Sequence, residues 1–161
     1  MGKRNLESRA TRGKNSLRHI WESRDPLRVV FNFLVIYTAK YVPFLELKND
    51  LLRLTGMKIW EGASIGLAAM FDIFYPELIE IGDNSVIGYN ATIIAHEYLI
   101  KEMRVGKVKI GKNVMLGANS TVLAGVGIGD GATVSAATLV DGTLPKNSFA
   151  KGNPMKVVKK K

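Results

Sequence analysis

From Ile81 onward an aliphatic residue returns at every sixth position, usually with glycine behind it: Ile81-Gly82, Ile87-Gly88 and Ile93-Ile94. The beat resumes at Ile110-Gly111, Leu116-Gly117, Val122-Leu123, Ile128-Gly129, Val134-Ser135 and Val140-Asp141. Four positions after most of these comes a small or β-branched residue: Ser85, Ala91, Val114, Ser120, Val126, Ala132 and Thr138. An α-helix repeats every 3.6 residues and a strand every two, so neither accounts for a period of six. The pattern predicts a chain wound as a triangular coil, each hexad forming one flat side. The aliphatic residue fills the axis and the small residue packs beside it. The glycines are expected to relieve tight backbone at the corners. Such a coil buries its apolar residues only by stacking on neighbouring coils.

The beat breaks twice. Between Ile93 and Ile110 the segment Glu97 to Lys107 is surplus, which predicts an external loop able to cover a neighbouring surface. Earlier, Ile59, Ile65 and Phe71 keep time but Ile81 arrives late, leaving a bulge that contains Asp72, Phe74, Tyr75 and Pro76.

Residues 26–56 follow a different rule. A dense apolar run from Leu27 to Tyr41 ends at Pro43, and Leu45, Leu47, Leu51, Leu52 and Leu54 follow at helical spacing. This predicts two helices separated near Pro43, with Gly56 closing the second. The run is short for a membrane span and contains Asn32 and Lys40, so it is expected not to cross a bilayer. Packing on the first coils, packing on a neighbouring subunit and peripheral contact with a membrane all suit it. The division is therefore a basic, helical segment over 1–56 and a coil with a basic tail over 57–161.

Composition narrows the chemistry. A chain of 161 residues, 47% of them apolar, supports one core with an accessory segment. With no cysteine, disulfides, thiolate metal sites and a cysteine nucleophile are excluded. The first 16 residues lack the apolar stretch of a signal peptide, so a cytoplasmic location is expected. The formal charge is +9, concentrated in residues 1–28 and in Lys156, Lys159, Lys160 and Lys161. Basic ends suit an anionic partner, a membrane surface or simple solvation. Nucleic acid is not expected, because no recognition motif accompanies the charge.

The hexad array, the turn Ile93-Ile94-Ala95-His96 before an excursion, and the ending Gly152-Asn153-Pro154-Met155-Lys156-Val157-Val158 resemble the hexapeptide-repeat acyltransferases, in particular the maltose/galactoside O-acetyltransferase-like branch. The likeness covers residues 57–158. It implies an all-β fold, a left-handed parallel β-helix of hexapeptide repeats, here with an N-terminal α-helical segment. It also implies a homotrimer with active sites between subunits, acetyl-CoA as acyl donor and a small-molecule acceptor with a hydroxyl or amine.

Acyl transfer from a thioester needs a base, an oxyanion donor and a track for the long donor. His96 is the candidate base, since of two histidines it alone sits where the repeat stops. Its other ring nitrogen needs a partner, for which Asp72, Glu97 or a backbone carbonyl qualifies; either acid, or Asn90, can instead bind the acceptor. Asn90 equally suits a corner turn. The resemblance implies that backbone at Ala118 and Ala136 contacts the donor and that Lys156 lies near its phosphates, with Lys146 and Lys151 as substitutes. The family's Thr-Lys after the last regular repeat is replaced here by Asp141-Gly142. A zinc enzyme on the same coil would need three histidines, and only His96 lies in it, so no metal is expected. A non-catalytic binding or scaffold role, and transfer from an acyl-carrier protein, are the alternatives.

Overall fold

The computed structural model describes residues 2–159; Lys160 and Lys161 of the basic tail lie outside the described residues. The hexads stack into three parallel sheets that form the sides of a triangular prism. The first side holds Lys58–Ile59, Ile79–Ile81, Val108–Ile110 and Gly127–Ile128. The second holds Ser64–Ile65, Val86–Ile87, Met115–Leu116, Thr133–Val134 and Ser148–Lys151, closed by an antiparallel strand Lys156–Lys159. The third holds Met70–Phe71, Thr92–Ile93, Thr121–Val122 and Leu139–Val140.

Register turns the sequence beat into columns. Ile59, Ile81, Ile110 and Ile128 align on the first side, and Phe71, Ile93, Val122 and Val140 on the third. Ile65, Ile87, Leu116, Val134 and Ala150 align on the second. All of these side chains are buried, while the preceding residue of each short strand points outward. Each large aliphatic side chain so buried contributes about 1.5–3 kcal/mol. The small residues sit inside the corners, and those with hydroxyls are satisfied there: Ser85 donates to Gly111 O at 2.7 Å and accepts from Val114 N at 3.0 Å.

The repeat glycines serve a purpose other than the expected one. The corner positions with positive φ are held by Asn84, Asn90, Asn113, Asn119 and Asn147, by Ala68 and Ala137, and by Gly62, Gly125 and Gly131, none of them a glycine that follows a repeat aliphatic. Gly82 lies elsewhere: a Cβ on it would stand 2.5 Å from the carbonyl carbon and oxygen of Gly111 in the next coil. These glycines allow coil to lie on coil, and asparagine takes the left-handed turn because its short polar side chain tolerates it. Gly82→Ala is therefore expected to lower stability by about 1–3 kcal/mol through overpacking against rigid backbone. Urea denaturation of the variant checks this, and an unchanged midpoint would refute the stacking role.

The accessory segment covers the open end of the coil, so the architecture is a parallel β-helix with a helical lid rather than purely β. Helix α1 is a single turn, Ile20–Ser23, followed by α2, Pro26–Tyr41, and α3, Leu45–Leu54. Asp25 caps α2 by accepting from Leu27 N at 3.0 Å, with Pro26 at the first helical position. Pro43 separates the two longer helices, and Gly56 with φ +94 ends the second. An uncovered first coil would leave a row of unpaired backbone groups. Lys48 Nζ donates to Ile65 O and Gly66 O at 3.2 and 3.0 Å, Asn49 to Ala63 O at 2.8 Å, and Arg53 Nε to Ile59 O at 2.9 Å. Lys40 O accepts from Ala68 N at 2.9 Å. Burial lowers the Lys48 pKa below the usual lysine range.

The surplus segment is a hairpin of His96–Tyr98 and Glu102–Val105, and the basic N-terminus adds a third strand, Glu7–Ala10, along its outer edge. Residues 2–16 are thereby bound to the prism: Gly2 pairs with Thr143, Asn5 N donates to Gly125 O at 2.9 Å, and Ser16 Oγ to Leu99 O at 2.6 Å.

Candidate active site

Both interruptions of the beat fall on the edge where the third side turns into the first, one coil apart. The bulge after Phe71 and the excursion after Ile93 thus stand next to each other, since Phe71 and Ile93 are register partners. Asp72 joins them. Its Oδ1 accepts from Phe74 N at 2.8 Å and Tyr75 N at 2.9 Å, holding the bulge in a tight turn. Its Oδ2 accepts from Ala95 N at 2.7 Å in the next coil and lies 2.5 Å from His96 Nδ1.

The Asp72 side chain is fully buried. Burial alone would raise its pKa, but the hydrogen bond and charge of His96, with the amides of Tyr75 and Ala95, together hold it below the usual carboxylate range. It is therefore ionised at neutral pH and only accepts. An acceptor-only partner calls for a hydrogen on Nδ1 of His96, so in the neutral imidazole the lone pair lies on Nε2.

Aromatic rings fix the imidazole. Phe74 and Tyr98 meet it edge-on with centroids 5.0 and 4.8 Å away, and Tyr75 lies tilted at 5.8 Å. Tyr98 shares a strand face with His96, as residues two apart do. Burial raises the pKa of its hydroxyl, with Ser23 beside it acting in the opposite sense. Arg24 lies 3.7 Å over the Tyr75 ring and pairs with Glu77. The arm, α1 and Met103 enclose a cavity of about 210 Å³ next to Tyr75, lined also by Arg9, Ser23 and Arg24.

The other candidate residues lie apart from the imidazole. Glu97 occupies the opposite strand face from His96, where it pairs with Arg4 and stands 4.0 Å from Arg104. It secures the N-terminal arm and does not touch the imidazole, because the alternation of a strand sends neighbours to opposite sides. Asn90 is an exposed corner residue with φ +52 whose Nδ2 donates to Asn119 Oδ1 at 2.9 Å. It sits on the edge between the second and third sides, one side away from His96.

Ala118 and Ala136 share that edge with Asn90, one coil apart, and Ala137 N donates to Ala118 O at 2.8 Å. Among the described residues no partner engages the backbone N–H of Ala118 or of Ala136. The next step along the edge is the C-terminal hairpin, tied in by Gly152 N donating to Thr138 Oγ1 at 3.0 Å. Lys151 and Lys156 face each other across it, both exposed. Lys146 is instead paired with Asp130 at 2.9 Å. No group of three or more His, Cys, Asp or Glu arranged to hold a metal occurs among the described residues.

Sequence reasoning missed Tyr98, which strand alternation would place beside His96 once the excursion is known to be a strand, and it missed Arg4 and Arg24, whose partners are remote in the chain. Arg4, for example, is 93 residues from Glu97.

Comparison with known proteins agrees with the architecture. The family described as hexapeptide repeat of succinyl-transferase matches residues 107–141. The provisionally named acetyltransferase YvoF of Bacillus subtilis (strain 168) is 52% identical over 147 residues, covering 91% of this chain and 86% of its own length. A galactoside acetyltransferase solved in complex with coenzyme A superposes with a TM-score of 0.66 at 20% identity, over 92% of each chain. A maltose O-acetyltransferase from Clostridium difficile 630 gives 0.61 at 22% identity, over 91% of this chain and 97% of its own. The winding shared with these folds is the left-handed β-helix.

Proposed function

Because the chain belongs to the hexapeptide-repeat acetyltransferases, we propose that it transfers the acetyl group of acetyl-CoA to a hydroxyl or amine of a small acceptor, with His96 as general base. The observation that carries this reading is the buried Asp72 carboxylate held 2.5 Å from His96 Nδ1, which leaves Nε2 as the acceptor of a proton.

In this mechanism Nε2 removes the acceptor's proton as its oxygen or nitrogen attacks the thioester carbonyl carbon. The tetrahedral intermediate collapses with cleavage of the C–S bond, and the proton held on His96 passes to the departing CoA sulfur. Asp72 stabilises the imidazolium in between. With no cysteine in the chain, direct transfer in a ternary complex is the simplest route.

Donor binding is assigned to the edge that carries the free amides of Ala118 and Ala136, with Lys151 and Lys156 beyond them for phosphate charge. Within one chain this edge is one side of the prism away from His96. A homotrimer resolves the separation by setting the His96 edge of one subunit beside the donor edge of the next. The exposed apolar residues Val86, Met115 and Tyr89 along the coil support such packing. A cytoplasmic reaction is part of this proposal, in keeping with acetyl-CoA as donor.

The test is release of free thiol from acetyl-CoA in the presence of an acceptor panel beginning with sugars, run on material whose mass is determined by sedimentation. Acceptor-dependent thiol release by a trimer is expected. Release by no acceptor sinks the chemistry, and full activity in a monomer sinks the shared site.

A further inference from the structure

Helix α2 is apolar on both faces. Val29, Asn32, Ile36 and Ala39 turn inward and close the end of the coil. On the opposite face Leu27, Val30, Phe31, Leu34, Tyr37 and Tyr41 are open to solvent, Leu27 at 80%, Leu34 at 58% and Tyr41 at 67% exposure. A surface helix of a soluble domain ordinarily turns polar residues outward, so a second apolar face marks a surface that something covers.

The charges around it say what. Helix α2 contains two cations, Arg28 and Lys40, and no carboxylate. Both cations sit beside the exposed rings: Arg28 lies 5.4 Å from the Phe31 centroid, and Lys40 lies 5.8 and 5.7 Å from those of Tyr37 and Tyr41. Residues 12–41 hold six Lys and Arg and two carboxylates, Glu22 and Asp25; of the cations, Arg24 is answered by Glu77 and Arg28 also donates to Thr55 O at 3.1 Å. The exposed Trp21 and Phe44 extend the aromatic character at either end of the helix.

We propose that this outer face of α2 docks on an anionic lipid surface, its aliphatic and aromatic side chains entering the headgroup boundary and its cations meeting lipid phosphates. A second copy of the chain suits the face less well. A two-fold contact would set Arg28 and Lys40 against the same cations of its mate with no carboxylate of α2 to answer them, and the proposed trimer is built on the coil edges rather than on the lid. A bilayer supplies the missing negative charge. The helix lies in the plane of the surface and does not span it: no helix among the described residues is long and apolar enough to cross a membrane. The inference rests on the lid alone and not on the proposed chemistry.

The test is co-sedimentation of the full chain with vesicles of phosphatidylglycerol and phosphatidylcholine, against vesicles of phosphatidylcholine alone. Binding is expected only with the anionic lipid, falling at least tenfold between about 0.05 and about 0.5 M salt as the Debye length shortens. The double substitution Leu27→Glu and Leu34→Glu, at positions that leave the buried face of α2 intact, is expected to weaken binding at least tenfold. Circular dichroism and an unchanged urea midpoint confirm that this variant is folded. Equal binding by wild type and variant, no binding by wild type, or equal binding to both vesicle types overturns the proposal. So does dissociation of the trimer, or of any larger particle, by the same substitutions, which would mark the face as a contact between copies.

Discussion

Replacing His96 with alanine is expected to lower kcat by about 10²–10⁴-fold, the range associated with loss of a positioned general base. The dissociation constant for CoA should barely move, because the proposed donor track at Ala118, Ala136, Lys151 and Lys156 lies on a different edge of the prism. The split between kcat and donor affinity separates a catalytic role from a structural one. A general loss of folding would depress both, and the His96 ring is packed by Phe74, Tyr75 and Tyr98 closely enough for that control to matter. Stopped-time thiol assays and equilibrium CoA binding on trimeric wild type and variant give the comparison. A variant that keeps near-normal kcat removes His96 from the mechanism.

Asp72 is expected to produce the largest combined effect on stability and rate. Asp72→Ala strips the acceptor from the amides of Phe74, Tyr75 and Ala95 in a buried site. At about 1–3 kcal/mol for each unsatisfied buried donor, the loss should exceed about 3 kcal/mol. Asp72→Asn is the sharper probe because it keeps the shape. Its oxygen can still hold the bulge, but its NH₂ then faces the Ala95 amide and His96 Nδ1. The imidazole must move its proton to Nε2 to accept there, and the base is lost. A kcat reduction of about 10²–10⁴-fold with modest destabilisation is therefore expected. Retention of kcat within a few-fold would show that Asp72 braces the fold and leaves the tautomer to other groups.

The same carboxylate imposes a pH dependence on stability. Its folded pKa lies below the unfolded value, so its contribution is complete above the unfolded carboxyl's pKa of about 3.9 and declines as the pH falls from there through the folded value. Urea midpoints measured between neutral pH and pH ~3 should fall more steeply for wild type than for Asp72→Asn, which has no proton to gain.

Much of the fold can be read along the chain because a solenoid is quasi-one-dimensional. Each aliphatic of the beat meets its equivalent in the next coil, so a local period specifies a long-range contact, as with Ile81 and Ile110. The two helices and their separation at Pro43 follow from periodicity and a missing amide donor in the same direct way. The glycines were a harder matter. Their position in the repeat is plain, but whether they serve φ or close approach depends on the backbone of the coil above, which no single hexad contains.

The candidate site divides along the same line. The break in the beat singles out His96 and places Asp72 in an earlier irregularity, since both are departures from a pattern that is itself local. Choosing between Asp72 and Glu97 required knowing that the two bulges stand on adjacent coils and that the excursion is a strand, which turns Glu97 away from the ring. The basic N-terminus reads as a solvated tail because its partners, Glu97 for Arg4, Tyr75 and Glu77 for Arg24, and Gly125 for Asn5, lie tens of residues away. Sequence alone thus determined the coil and its interior columns, through interactions that recur at fixed spacing, and singled out His96 as the candidate base where that spacing breaks. Tertiary structure alone decided which carboxylate contacts His96, that the N-terminal arm braces its hairpin, and that the lid helix has an exposed apolar face, because each depends on contacts between segments that no period relates.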